Sequence, residues 1–224
     1  MLVHYIQKKG VDIAWEDPIG GLIWRLRHML SRLCRLPEFG DKLIVRGLQI
    51  LYASFNWRYA QHLFRQFKDE QRHTVYCRSQ RVAKRIGELS KKYEVYVISR
   101  SSGGRVASLV ADNVAVKQII CLGYPFQNPE NGIEPERYEH LPALRTPFLI
   151  IQGRNDEYGG SEILEKYHFH PNTSIFLMDT DHGFNMEKHQ WQVLFHKMEE
   201  ILPKNQVKTK ESFDLISTTS FVSS

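Results

Sequence analysis

The chain has 224 residues, of which 42% are hydrophobic and 25% charged, as is usual in globular proteins. No apolar run is long enough for a membrane span, and the N-terminus lacks the pattern of a signal peptide. The three cysteines form no C-x-x-C pair, which argues against a disulfide framework or a zinc knuckle, so we expect a cytoplasmic protein. The net charge of +5 is mild and no nucleic-acid-binding motif accompanies it, so no nucleic-acid partner is expected.

The N-terminal part is predicted to begin with a short strand and a basic amphipathic helix. Residues 11–15 form an apolar run, and helically spaced apolar residues follow over 22–33, with arginines on the other side. Such a stripe can lie on a membrane surface, but it more often covers one face of a sheet, and peripheral membrane contact is therefore not the favoured interpretation. Pro37 and Gly40 predict the end of this helix.

The following elements are predicted from shorter patterns. Residues 47–52 form an apolar run that predicts a strand, and residues 60–75 give only a weak helical pattern. Residues 79–92 predict a helix that Ser79 could cap, with one apolar stripe made by Val82, Ile86 and Leu89.

Strands and helices alternate along the rest of the chain. The predicted strands are 95–98, 116–122, 148–151 and 174–178, and the predicted helices are 104–112, 161–167 and 187–201. Nearly continuous apolar strands that alternate with helices indicate a parallel sheet covered on both faces, a three-layer α/β sandwich. A single domain over residues 1–203 is expected, without a lid domain. Residues 204–224, rich in Lys, Ser and Thr, are expected to form a flexible tail.

The sequence Ser-Arg-Ser-Ser-Gly-Gly joins a predicted strand to a predicted helix. A nucleophilic serine at such a junction lies in a strained turn and requires small residues two positions before and two positions after it. Ser101 meets this requirement with Ser99 and Gly103. In the alternative register, Ser102 would follow Arg100 by two positions, and an arginine there should clash. Ser101 is the predicted nucleophile, and a phosphate-binding or purely structural glycine turn is the alternative.

A carboxylate and a histidine follow two later strands. Asp156 lies in the turn after the strand at 148–151, with Glu157 as the less favoured substitute, and His182 follows the strand at 174–178. Alone, an Asn-Asp turn is more often a helix cap, and one histidine among ten is weak evidence. Functional groups of parallel sheets gather beyond the carboxyl ends of the strands. The order Ser, Asp, His is that of the α/β-hydrolases, which predicts a triad.

The chain resembles the dienelactone-hydrolase-like branch of the α/β-hydrolases, within it the group that includes the hydrolase-like domain of a histone-acetyltransferase-complex subunit. The segments that carry the resemblance are RGLQILYASFNWRY, YVISRSSGGRVASLVAD, IICLGYPFQNPE, YEHLPALRTPFLIIQGRNDEYGG and DTDHGF. The resemblance implies Ser101 as nucleophile, Asp156 as the acid and His182 as the base.

The oxyanion hole departs from the pattern of this family. The backbone N–H of Ser102 is expected to supply one donor. Relatives usually place the second donor on a His-Gly-rich loop, whereas this chain offers only Trp-Glu-Asp-Pro-Ile-Gly-Gly, with Ile19 and Gly20 as candidates. Glu16 and Asp17 in the same loop would oppose the stabilisation of a developing oxyanion.

The stretch from Tyr124 to His140 is expected to roof an open site, with Tyr124 and Phe126 as candidate residues of this substrate loop. The favoured hypothesis is a serine hydrolase of esterase or thioesterase type, acting on a small or extended acyl substrate without a metal or organic cofactor. The alternative is a non-catalytic binding or scaffold protein with an idle triad. A third hypothesis is a membrane-associated acyl hydrolase that uses the basic helix at 22–35.

Overall fold

The computed structural model describes residues 1–33, 38–72, 74–203 and 214–219. The helices are Leu2–Lys8 (α1), Gly20–Leu33 (α2), Glu38–Phe55 (α3), Trp57–Arg72 (α4), Thr74–Leu89 (α5), Ser102–Ser108 (α6), Ile163–Lys166 (α7) and Lys188–Glu199 (α8). The strands are Asp12–Trp15 (β1), Val95–Arg100 (β2), Gln118–Leu122 (β3), Gln127–Asn128 (β4), Gly132–Ile133 (β5), Phe148–Gly153 (β6), Thr173–Met178 (β7) and Asp214–Thr219 (β8).

The chain divides into two compact units. Unit 1 comprises Met1–Ala14 and Ser79–Ser224, and unit 2 comprises Trp15–Arg78. The single domain expected over residues 1–203 stays a prediction.

The centre of unit 1 is a sheet of six strands in the order β1-β8-β2-β3-β6-β7. The pairs β8–β2, β2–β3, β3–β6 and β6–β7 are all parallel, as the alternation of strands and helices predicted. Parallel neighbours require crossover connections, and in the C-terminal part of the chain these contain α6 and α7. The parallel α/β architecture is thus confirmed.

Both faces of this sheet are covered. Ile98, Ile120 and Leu149 belong to a cluster that also contains Leu194 and Met198 of α8. The alternate residues of the strands, Val97, Ile119 and Ile150 among them, are fully buried as well. Strands that are buried on both faces read as continuous apolar runs, which explains why their sequence pattern predicted them well.

Two predictions about secondary structure were wrong. Residues 47–52 lie inside the helix α3, and β8 extends the sheet with residues 214–219, inside the segment expected to be a flexible tail. A short apolar run fits a strand and a buried helix equally well, and the flanking residues decide between them. The remainder of the predicted tail, residues 204–213 and 220–224, and the predicted stop at Pro37 lie outside the described residues.

The helix predicted over residues 79–92 exists as α5, but it begins earlier, at Thr74. Ser79 therefore lies within the helix and does not cap it. The predicted stripe of Val82, Ile86 and Leu89 is buried, as the helical spacing of these residues indicated.

The Asp17 carboxylate links three segments of unit 2. Its carboxylate accepts hydrogen bonds from the Ile19 N–H at 2.9 Å, the Gln49 Nε2 at 3.0 Å and the Tyr59 hydroxyl at 3.1 Å. These bonds tie the loop before α2 to α3 and α4. Burial, followed by the charge of Asp17, holds the pKa of Tyr59 well above its usual range, so the phenol remains a donor. Glu16 is likewise engaged, by Arg78 at 3.0 Å.

A partly buried histidine in unit 1 gives a pH-dependent contribution to stability. His140 Nε2 lies 2.8 Å from the Ser108 hydroxyl, and burial lowers the pKa of His140 to about 4. The unfolded chain, whose histidine has a pKa near 6.5, therefore binds this proton more readily than the folded chain between about pH 6.5 and pH 4. Stability falls as the pH drops through this window and levels off below it.

Replacing His140 with Gln is expected to remove this dependence. The difference in unfolding free energy between the native chain and His140→Gln should change by up to about 3 kcal/mol between pH 7 and pH 4. Urea unfolding at several pH values measures the difference. His168→Gln, at an exposed position, is the control. Its unfolding free energy should change with pH in the same way as that of the native chain. The prediction would be contradicted if the unfolding free energy of His140→Gln also changed with pH as that of the native chain does.

Candidate active site

Three strand ends of unit 1 lie at the same edge of the sheet. The register aligns Arg100 at the end of β2 with Leu122 of β3, and Gly153 at the end of β6 with Met178 of β7. Ser101 follows β2 directly, Asp156 follows β6 by three residues and His182 follows β7 by four. Because the strands are parallel, these three side chains emerge on one side of the sheet.

The three side chains form one hydrogen-bonded chain. His182 Nε2 lies 3.1 Å from Ser101 Oγ, and His182 Nδ1 lies 3.0 and 2.9 Å from the two carboxylate oxygens of Asp156. A hydroxyl, an imidazole and a buried carboxylate in this sequence can pass a proton from the hydroxyl to the imidazole.

Ser101 lies in a backbone conformation that is rare for residues with a side chain. Its φ is 49° and its ψ is −124°, between the end of β2 and the start of α6. The small residue two positions before it, Ser99, is buried and its hydroxyl donates to the Ile120 carbonyl. Gly103, two positions after it, is buried as well. This is the strained strand-to-helix turn expected of a nucleophilic serine.

A family model described as an alpha/beta hydrolase domain matches residues 36–205, which is more than half of the chain. The chain belongs to the alpha/beta-hydrolase family. The matched region contains Ser101, Asp156 and His182. A search of curated proteins found no match.

Close packing at the turn of this alpha/beta-hydrolase requires a glycine at position 104. A Cβ there would overlap the Cys121 sulfur and would lie 3.0 Å from Tyr124 Cδ2. Burial raises the pKa of the Cys121 thiol to about 12. Cys121 is thus a neutral packing group on the neighbouring strand and not a nucleophile.

Gly104→Ala is expected to destabilise the protein by about 1–3 kcal/mol, because overpacking a buried site forces side chains or backbone to move. The double variant Gly104→Ala with Cys121→Ala should recover part of this loss, since the overlapping sulfur is gone. Urea unfolding of the two single variants and the double variant tests the coupling. Additive losses would contradict the proposed overlap.

Asp156 is buried and held by two further donors, which the sequence pattern did not predict. Gln152 Nε2 donates to Asp156 Oδ2 at 2.9 Å, and the Tyr158 N–H donates to Oδ1 at 2.8 Å. Burial raises the pKa of Asp156, and the hydrogen bond from His182 opposes this rise. Gln152 also donates to the Gly159 carbonyl and accepts from the Tyr124 N–H, so one amide ties the turn after β6 to the loop after β3. A glutamine in a fully buried strand was the available signal.

His182 is positioned by contacts on several sides. The guanidinium of Arg100 donates to the carbonyls of His182 and Gly183, both at 2.9 Å. The Tyr158 ring lies with its centroid 4.3 Å from that of the imidazole. At Gly123, where φ is +64°, a Cβ would lie 3.2 Å from His182 Nδ1. These contacts restrict rotation of the imidazole away from Asp156.

Tyr124 and Phe126, the candidate residues of the substrate loop, are core residues, and a role of their loop toward substrate stays a prediction. Neither side chain has any exposed surface. The Tyr124 hydroxyl donates to the Arg137 carbonyl at 2.5 Å, and the Phe126 ring stacks on Tyr167. Aromatic side chains after a strand can anchor their own loop as well as face a ligand, and here they anchor it.

The backbone donors predicted for an oxyanion lie in different parts of the chain. Ser102 is the first residue of α6 and directly follows Ser101. The N–H groups of Ile19 and Gly20 belong to unit 2, where they donate to the Asp17 carboxylate at 2.9 Å and to its carbonyl at 2.8 Å. Their oxyanion role stays a prediction, and it would require these two bonds to break.

Within the described residues, no group of three or more His, Cys, Asp or Glu side chains is arranged to hold a metal ion. None of the helices in the described part of the chain combines the length and the apolar character that a membrane span needs.

Proposed function

We propose that this alpha/beta-hydrolase is a serine hydrolase of esterase or thioesterase type, from the dienelactone-hydrolase-like branch and acting in the cytoplasm. The observation that carries the proposal is the hydrogen-bonded chain from Ser101 through His182 to the buried Asp156. The strained backbone of Ser101 supports it, because that conformation directs the hydroxyl away from the sheet toward the imidazole.

The proposed reaction proceeds in two halves. His182 Nε2 accepts the hydroxyl proton of Ser101 while the Ser101 oxygen attacks the acyl carbonyl. The tetrahedral intermediate collapses, the bond to the leaving group breaks, and the leaving group takes the proton from His182. Water then attacks the acyl-enzyme, His182 accepts a proton from it, and the acid product leaves as Ser101 is reprotonated. Asp156 stabilises the imidazolium form in each half.

The Ser102 N–H is the first proposed oxyanion donor. It is a backbone group at the start of α6 and would remain in any side-chain variant. Ile19 or Gly20 is the proposed second donor. Losing one donor of an oxyanion hole lowers kcat by about 10²–10³-fold. A slow enzyme is therefore expected if Asp17 retains both N–H groups.

The proposed substrates are small or extended acyl esters or thioesters. The connection between β3 and β6 contains only a two-stranded hairpin, β4–β5, and two short 3-10 turns, Pro135–Arg137 and Leu141–Ala143. Such a connection has no domain that could enclose a long buried acyl chain, so the proposed site is open.

A fluorophosphonate probe tests the proposal because it reacts with an activated serine. The native chain should be labelled and should hydrolyse p-nitrophenyl acetate, and Ser101→Ala should lose both properties. Ser102→Ala is the matched control, because it removes the neighbouring hydroxyl and keeps the backbone N–H. Labelling that survives in Ser101→Ala, or is absent from a folded native chain, would refute the proposal.

The second candidate function is a hydrolase-like binding or scaffold protein with an idle triad. The bonds from Ile19 and Gly20 to Asp17 favour it, since they occupy the predicted second oxyanion donor. For this function, a folded native chain would show neither labelling nor turnover. Asp17→Ala, which removes the side-chain acceptor of the Ile19 N–H, would also not create activity, whereas in a slow enzyme it should raise the rate.

A further inference from the structure

The helix α4 of unit 2 presents aromatic side chains to solvent. Trp57, Phe64 and Phe67 are 75%, 68% and 59% exposed. Their spacing of seven and then three residues places them on one side of the helix. The opposite side faces the rest of unit 2 through Tyr59, which is 3% exposed. The outward side of α4 is thus apolar, which is unusual for a helix at a protein surface.

Each exposed aromatic residue of α4 is followed directly by an exposed basic residue. Arg58 follows Trp57, Arg65 follows Phe64 and Lys68 follows Phe67, and all three basic residues are exposed. One position along a helix is a rotation of about 100°, so a basic stripe runs beside the aromatic stripe. Unit 2 has eleven Lys and Arg against six Asp and Glu, a surplus of five that equals the net charge of the whole chain.

The helix α3, which packs against α4 within unit 2, also exposes aliphatic side chains. Three of them, Leu43, Ile50 and Leu51, are 58%, 66% and 57% exposed. Ile50 follows Leu43 by seven residues, about two helical turns, so these two side chains lie on one side of the helix. Aromatic rings interleaved with basic residues could stack on the bases of a single-stranded nucleic acid. Aliphatic side chains gain nothing from such stacking, but they do gain from entering the acyl region of a lipid layer.

We propose that unit 2 docks on an anionic lipid surface through α4, with Trp57, Phe64 and Phe67 in the interfacial layer and Arg58, Arg65 and Lys68 at the headgroups. This surface is α4 and not the basic helix at 22–35 that the sequence pattern indicated. The proposal does not rest on the hydrolase activity, and Ser101→Ala should bind lipid like the native chain.

Co-sedimentation of the full chain with sucrose-loaded vesicles tests the proposal. Binding is expected to vesicles of phosphatidylcholine with 30% phosphatidylserine and not to pure phosphatidylcholine. Binding should weaken between 0.05 and 0.5 M NaCl, because the Debye length falls from roughly 14 to roughly 4 Å and salt screens the charges. The triple variant Arg58→Gln, Arg65→Gln, Lys68→Gln should lower the partition coefficient on the order of 100-fold, about fivefold per charge.

A second triple variant and a spectroscopic readout test the aromatic stripe. Trp57→Ser, Phe64→Ser, Phe67→Ser should abolish binding, and Trp57→Phe should bind but lose the blue shift of tryptophan emission that vesicles cause in the native chain. The matched control is Lys91→Gln with Lys92→Gln, two exposed charges of unit 1, which should bind as the native chain does. Circular dichroism checks that each variant is folded.

Three outcomes would overturn the proposal. The first is the absence of binding to phosphatidylserine vesicles by the native chain. The second is tighter binding to a single-stranded RNA than to the vesicles, lost in both triple variants. The third is a native chain that does not bind vesicles but forms a dimer in sedimentation velocity, with the aromatic triple variant monomeric. That result would assign α4 to a contact with a second copy.

Discussion

Replacing His182 with Gln is expected to lower kcat for an activated ester by about 10⁶-fold. In the structure, His182 Nε2 is the acceptor 3.1 Å from the Ser101 hydroxyl, and Gln has no group that can take up this proton. The loss should fall on kcat, with little effect on KM, because the imidazole acts in the chemical step and not in substrate binding.

Three measurements make this prediction specific. The rate of fluorophosphonate labelling should fall together with kcat, since both depend on the same proton transfer. His168→Gln is the matched control at an exposed position and should retain full activity. A folded His182→Gln protein that retains more than about one hundredth of the native kcat would contradict the proposed general base.

Replacing Asp156 with Asn is expected to lower kcat by about 10⁴-fold. The native carboxylate accepts the Nδ1 proton of His182 and leaves Nε2 unprotonated toward Ser101. An amide would instead donate to Nδ1 through its NH₂ group and leave the proton on Nε2, where it blocks proton transfer from Ser101. The buried position of Asp156 strengthens the effect, because no water can replace the lost acceptor.

Asp179→Asn is the matched control for this experiment. Asp179 follows β7 at an exposed position, and its replacement should change kcat by less than twofold. Asp156→Asn should also label slowly with the fluorophosphonate probe while Ser101 remains in place, which separates it from Ser101→Ala. An Asp156→Asn protein with native kcat would assign Asp156 to the structural turn that its sequence context also suggested.

The sequence alone determined the strands β2, β3, β6 and β7 in the C-terminal part of the chain. The apolar runs that became β2, β3, β6 and β7 are long enough, and bounded clearly enough by turns, to be identified without tertiary information. Position relative to those strands then singled out Ser101, Asp156 and His182, since the carboxyl ends of parallel strands share one edge. The structure brings these three side chains within hydrogen-bonding distance.

Only the tertiary structure decided the features that depend on contacts between distant segments. The segment Asp214–Thr219 became a strand because β2 offered it a parallel edge. The role of Gln152 depends on two loops, those after β3 and β6, that meet at its amide. Tyr124 and Phe126 likewise could be assigned to the core only once their packing partners were placed. Sequence patterns report the preference of each segment, whereas pairing and burial are properties of the segments together.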